Sequence, residues 1–136
     1  MKTVEMARAA AHWWREKLER GVMHDNGDRS AMGAMAGIMA DMLSEPTDSN
    51  RLELFEKVLA LRVCDEIENT AGRGIGYFSI GCDYGPEGIL FDAARETGVS
   101  ARNFPWKTWM WIELKKEQVV VRDGYHGPML TIWGES

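Results

Sequence analysis

FPWKTWMWIELKKEQVVVRDGYHGPMLTIW, residues Phe104–Trp133, is the stretch that decides the fold of the second half of this chain. Its β-branched and aromatic residues are concentrated in three runs, and polar, Gly and Pro residues typical of turns separate the runs. The sequence therefore predicts an antiparallel hairpin followed by a third strand. The predicted strands are Lys107–Leu114, Gln118–Arg122 and Met129–Trp133, with a polar turn at Lys115–Glu117.

The predicted hairpin has two chemically different faces. Side chains alternate along a strand, so Met110 and Ile112 share one face while Trp109 and Trp111 share the other. A two-residue turn would pair residues whose numbers have an odd sum, which places Arg122 opposite Trp109. One face is then an aliphatic core, and the other is aromatic and charged. We call the second the tryptophan face and expect it to comprise Lys107, Trp109, Trp111, Glu113, Gln118, Val120 and Arg122.

The rest of the chain predicts a single α+β domain over residues 1–136, with a helical half (1–70) and a sheet-forming half (71–136). Apolar residues recur at helical spacing in the first half, and a further strand and helix precede the hairpin. We expect the N-terminal helices to pack on a small, mostly antiparallel C-terminal sheet that carries one further helix. The predicted helices are Thr3–Arg20, Ser30–Leu43, Asn50–Asn69 and a segment from Pro86 to Thr97, and the further strand is Tyr77–Tyr84.

The predicted helix Ser30–Leu43 (SAMGAMAGIMADML) is unusual in its methionine stripe, which consists of Met32, Met35, Met39 and Met42. Its small residues allow another backbone to approach closely, as in a core helix or a helix packed on a twin subunit. We expect core placement of the stripe, although methionine-rich surfaces also serve adaptable binding. The chain is further expected to form a homodimer, because this helix and the many aromatic residues exceed what one small domain buries.

Composition narrows the class of protein. A net charge of −5 and a pI near 5.2 argue against non-specific binding to nucleic acid or to an acidic membrane. Cys64 and Cys82 are too few for a disulfide scaffold and are expected to be reduced and buried. With no signal peptide pattern at the N-terminus and no apolar run long enough to span a bilayer, a cytoplasmic protein is expected.

No pattern of catalytic or metal-ligating residues stands out. His12, His24 and His126 belong to no metal-ligand motif, and nothing pairs them with a nucleophile. The segment His24–Asp28 lacks the ligands of an EF-hand, so a turn followed by a helix cap is expected, with a weak cation or catalytic site as the alternative. We predict no metal, no cofactor and no enzymatic activity; a small metal-dependent hydrolase is the alternative from another class.

The tryptophan face is the stronger functional signal. Aromatic residues beside cations stack on nucleotides and also anchor protein interfaces. Two interpretations stay open: the helices cover this face, or it is exposed and binds a partner, either a protein or a nucleotide. We predict binding. The predicted binding residues are Lys107, Trp109, Trp111, Arg122, Tyr125 and His126.

Four segments spread along the chain carry a family resemblance: Ala9–Trp14 (AAAHWW), Asp25–Asp28 (DNGD), Asp83–Leu90 (DYGPEGIL) and Phe104–Ile112 (FPWKTWMWI). In these segments the chain resembles small proteins encoded by phages and prophages of gut Clostridia and their relatives. Tyr125–Pro128 (YHGP) departs from the Tyr-Gly turn expected there. The resemblance implies an accessory protein that disarms a bacterial host by binding a defence protein, in the manner of an anti-CRISPR, or by sequestering a nucleotide immune signal. It assigns no role to any residue.

Overall fold

The computed structural model describes residues 1–21, 24 and 27–135, and within them the helices and strands follow the predicted order. An α+β fold is confirmed, with the N-terminal helices preceding an antiparallel sheet of four strands. The helices are α1 (Thr3–Arg20), α2 (Ala31–Met42), α3 (Ser49–Gly72) and α4 (Gly88–Thr97). The strands are β1 (Tyr77–Cys82), β2 (Thr108–Glu113), β3 (Gln118–Arg122) and β4 (Met129–Trp133).

Local signals in the sequence begin and end these helices. The side chains of Ser30 and Asp48 accept backbone N–H hydrogen bonds at the first turns of α2 and α3, which satisfies donors that have no partner inside the helix. Gly98 ends α4 at φ 73°, a left-handed conformation that costs glycine little. The turn predicted at Asp25 and Asn26 lies outside the described residues.

The sheet is a meander in the order β1-β2-β3-β4, and every neighbouring pair is antiparallel. Trp109 pairs with Arg122, as predicted from the odd sum. The turn is longer than the predicted Lys115–Glu117 and than the two residues assumed for that register, because the last pair is Glu113 with Gln118 and four residues lie between them. Any even number of turn residues keeps the sum odd, so the residues of β2 and β3 were assigned to the correct faces although the turn length was not.

The core lies between the helices and the aliphatic face of the sheet. Met110, Ile112 and Val119 are fully buried on that face, and α1 and α3 pack on each other above it. Phe104, which leads into β2, lies against Trp14 of α1 and Phe55 of α3, with ring centroids 6.3 and 5.8 Å apart. This aromatic group joins the helical layer to the sheet.

Both cysteines are free thiols, as predicted. Cys82 is buried in the core, whereas Cys64 is only half-buried, so the expected burial holds fully for Cys82 alone. Burial raises the pKa of each thiol above its ordinary value, because a thiolate loses its hydration there. Both are therefore protonated, weakly reactive side chains.

Helix α2 departs from the prediction. Core placement of the methionine stripe is wrong: its four residues are 56–85% exposed, and only Gly33 and Gly37 are buried in this helix. The two glycines approach Asp28 and the carbonyl of His24, so the small residues pack on the preceding segment. Within the described chain α2 makes no extensive contact with another helix or strand. A helical period reports which residues share a face, but not whether that face has anything to pack against.

Candidate binding face

The tryptophan face lies on the side of the sheet opposite the helices. Trp109 and Trp111 are half-buried, while Met110 between them points into the core and is fully buried. The helices pack on the aliphatic face, and neither tryptophan belongs to the side chains that pack against the core. The interpretation in which helices cover this face is therefore wrong for the residues that the structure describes.

The sheet itself accounts for the partial burial of Trp109. Its indole lies over Gly81 of β1, where a Cβ atom would come within 2.5 Å of Trp109 Cε3 and 2.6 Å of the carbonyl oxygen of Thr108. The absence of a side chain at Gly81 thus allows the Trp109 ring to pack directly on the backbone of β1. This contact with β1 removes part of the indole from water without any helix above it.

Two rows of side chains cross the four strands on this face. The first row contains Gly81, Trp109, Arg122 and Met129, and the second contains Ser79, Trp111, Val120 and Thr131. A third, partial row adds Tyr77, Glu113 and Gln118. The face is therefore a broad aromatic and aliphatic surface with a cation in one outer row and a carboxylate in the other.

Arg122 is the cation of this surface. Its Nε atom is buried without a hydrogen-bond partner, and no carboxylate among the described residues lies within ion-pairing distance of its guanidinium. By contrast, Glu113 at the other end lies 3.9 Å from the ammonium of Lys116. An unpaired guanidinium beside an indole suits an acidic or carbonyl-bearing partner, because it offers several donors in a fixed plane.

Lys107, the other cation expected on this surface, is engaged elsewhere. It precedes β2 at φ 54°, so the alternation of side chains along β2 does not extend to it. Its ammonium pairs with Asp83 and lies 4.5 Å from the ring centroid of Tyr84. The hydrogen bond from Lys107 to Asp83 raises the pKa of Lys107. Its charge is balanced locally and is not free for a partner.

Tyr125 and His126 lie in the turn between β3 and β4, outside the rows of the tryptophan face. Both are exposed, and their rings meet edge to face at 4.8 Å. Tyr125 also lies close to Gly27, and the neighbouring Asp123 pairs with Lys17 of α1. Of the six predicted binding residues, the structure thus brings Trp109, Trp111 and Arg122 together on one surface.

The residues that the sequence reasoning missed come from the outer strands. Ser79 and Gly81 of β1 and Met129 and Thr131 of β4 complete the two rows. Both strands were predicted, but nothing in the sequence specifies their register against the hairpin. A β-bulge between Val119 and Val120 shifts the register only at the end of β4, where Trp133 pairs with Val119.

His24 and Asp41 form a dyad that resembles a catalytic pair but serves as an anchor. The His24 side chain is buried, with Nδ1 2.7 Å from the Asp41 carboxylate and Nε2 3.1 Å from the carbonyl oxygen of Arg102. Both ring nitrogens are occupied, so neither is free to accept a proton from a substrate. The dyad instead ties α2 to the segment that leads into β2.

In residues 1–21, 24 and 27–135, no group of three or more His, Cys, Asp or Glu side chains could hold a metal ion. Over the same residues, no helix combines the length and the apolar composition that crossing a membrane requires. Comparison of the chain with models of known protein families and with curated protein sequences gives no match.

Proposed function

We propose that this chain is a phage-type binding protein that inhibits a host antiviral defence protein, and that the tryptophan face is its docking surface. One observation carries the proposal: two tryptophans and an unpaired arginine share a sheet face that no helix covers in the described chain. Trp and Arg are the residues most enriched among those that dominate binding energy at protein interfaces. The resemblance to phage proteins supplies the biological setting.

The shape of the surface favours a protein over a nucleotide. Small-molecule sites are concave and enclose most of their ligand. The cavities described in this structure are lined by other parts of the chain, for example by His24, Leu43, Tyr84 and Trp106, and neither Trp109 nor Trp111 lines them. A broad sheet face with an exposed rim residue such as Tyr77 is suited to another protein surface.

Ser79→Arg tests the docking surface without removing any packing. Ser79 is exposed and lies opposite Trp111, so a long cationic side chain there would cover the indole and block a partner. Asn69→Arg is the matched control, because it adds the same charge at an exposed position near the end of α3, on the helical side. We expect both variants to keep the wild-type melting temperature within about 2 °C, as surface substitutions do.

The readout is protection of an infecting phage in a host that carries active defence systems, combined with quantitative capture from that host's lysate. We expect wild type and Asn69→Arg to protect the phage and to retain a component of the defence system, and Ser79→Arg to lose both. Equal protection by Ser79→Arg would exclude the tryptophan face. Retention of a nucleotide in place of a protein would support sequestration of an immune signal and contradict the proposed protein target.

A further inference from the structure

Among the described residues, the apolar face of α2 is a second surface, besides the tryptophan face, on which no other helix or strand packs extensively. Met32 and Met42 near its two ends are 85% and 79% exposed. Ile38 and Leu43 flank the methionine stripe and are more than half exposed as well. The opposite side of the helix is held by the His24–Asp41 dyad and by the contacts of Gly33 and Gly37. The helix is therefore fixed in place with its apolar face outward.

The spacing of the stripe indicates what covers it. Met32, Met35, Met39 and Met42 alternate steps of three and four residues. A seam with this repeat is complementary to another helix, whose side chains fit between the knobs that the seam presents. An extended peptide or a flat sheet would match a different period. The partner surface is therefore helical and apolar.

The charged residues of α2 indicate which helix packs on the stripe. Asp41 is the only charged residue within α2, and it is engaged by His24. Because the stripe carries no free charge, it gives no electrostatic preference for a charged partner. Two copies of the stripe can also pack together without like-charge repulsion. A two-fold axis perpendicular to the helix would pair the copies antiparallel, which brings opposite ends of the helix dipoles together. A lipid surface is a poor match, because α2 carries no lysine or arginine to hold anionic headgroups.

The exposed area is sufficient for such a contact. The stripe together with Ile38 and Leu43 exposes on the order of 700 Å² of apolar side chain, above the largest patch of a typical monomer and near the share that each partner contributes to a standard interface. We infer that α2 is a homodimerisation helix, and that it packs through its methionine stripe on α2 of a second copy. This interface lies apart from the tryptophan face.

Met39→Glu tests the inference by placing a charge in the middle of the stripe. Leu61→Glu is its matched control, since Leu61 is an equally apolar residue, 68% exposed on α3. In sedimentation equilibrium we expect wild type and Leu61→Glu to reach about twice the 15.4 kDa chain mass. Met39→Glu should stay at the mass of one chain, with a dimer dissociation constant raised roughly 30-fold or more, as for a truncated hot spot.

A charge-complementation experiment shows whether α2 meets α2. Met39→Lys should also be monomeric alone, but an equimolar mixture with Met39→Glu should form a dimer of one chain of each kind, because opposite charges then share the interface. A wild-type protein that remains monomeric at micromolar concentrations would overturn the inference. So would a mixture that stays monomeric, or a Met39→Glu variant that still dimerises. Circular dichroism of each variant verifies that α2 and the rest of the chain remain folded.

Discussion

Phe104→Ala is expected to lower the free energy of unfolding by about 3–5 kcal/mol, the cost of deleting a fully buried aromatic side chain. Phe104 is 1% exposed and contacts both Trp14 and Phe55. The cavity would open where the two long helices meet the segment that enters the sheet. The loss is a large part of the total stability of a typical domain, which is about 5–15 kcal/mol.

Phe91→Ala is the matched control, because it makes the same substitution on α4 at a side chain that is 42% exposed. We expect it to cost about 1 kcal/mol or less. Urea unfolding followed by circular dichroism gives both free energies and also the dependence on denaturant. Equal losses in the two variants would contradict the position of Phe104 in the core.

The second large difference is expected between neighbouring residues of β2. Met110→Ala should lower the free energy of unfolding by about 2–5 kcal/mol, since Met110 is fully buried against the helices. Trp111→Ala removes a larger side chain but should cost only about 1 kcal/mol, because the ring is half-buried on the open side of the sheet. The variant that deletes the larger side chain is thus expected to lose less free energy of unfolding.

Partner binding should show the reverse order. For the proposed protein partner, Trp111→Ala is expected to weaken binding by about 2 kcal/mol or more, roughly 30-fold, as for an interface hot spot. Trp109→Ala and Arg122→Ala should weaken it too, while Met110→Ala, at a temperature where it remains folded, should bind normally. Calorimetric titration measures these affinities. A Trp111→Ala variant that unfolds as readily as Met110→Ala would place the tryptophans in the core.

Much of the fold could be predicted because its signals are local. The helical spacing of apolar residues in the first half predicted Thr3–Arg20 with both bounds correct, and the strand Met129–Trp133 was likewise correct. These elements depend on neighbours within a few residues, through helical or two-residue periods and through caps. The assignment of Trp109 and Arg122 to one face was also correct although the turn length was wrong, since it depended only on whether the number of turn residues is even or odd.

The candidate site was predictable only in part, for two physical reasons. Lys107 was assigned to the tryptophan face by extending the alternation of β2. Its positive φ breaks that alternation, and its ammonium pairs with Asp83 instead. Ser79 could not be assigned, because the register of β1 against β2 depends on contacts between segments distant in the chain. Thr131 could not be assigned, because the register of β4 depends on the conformation of the turn that follows β3. Neither the backbone conformation of Lys107 nor these strand registers can be predicted from local composition or residue spacing.

By itself the sequence determined the α+β class, the helices and strands, and the division of the hairpin into an aliphatic and a tryptophan face. Only the tertiary structure decided which surfaces are left uncovered. The helices pack on the aliphatic side of the sheet. The tryptophan face and the methionine stripe of α2 were left outside. Periodicity shows from nearby residues which side chains share a face. Whether that face is buried depends on which of the other faces in the molecule pack against the same helix or sheet.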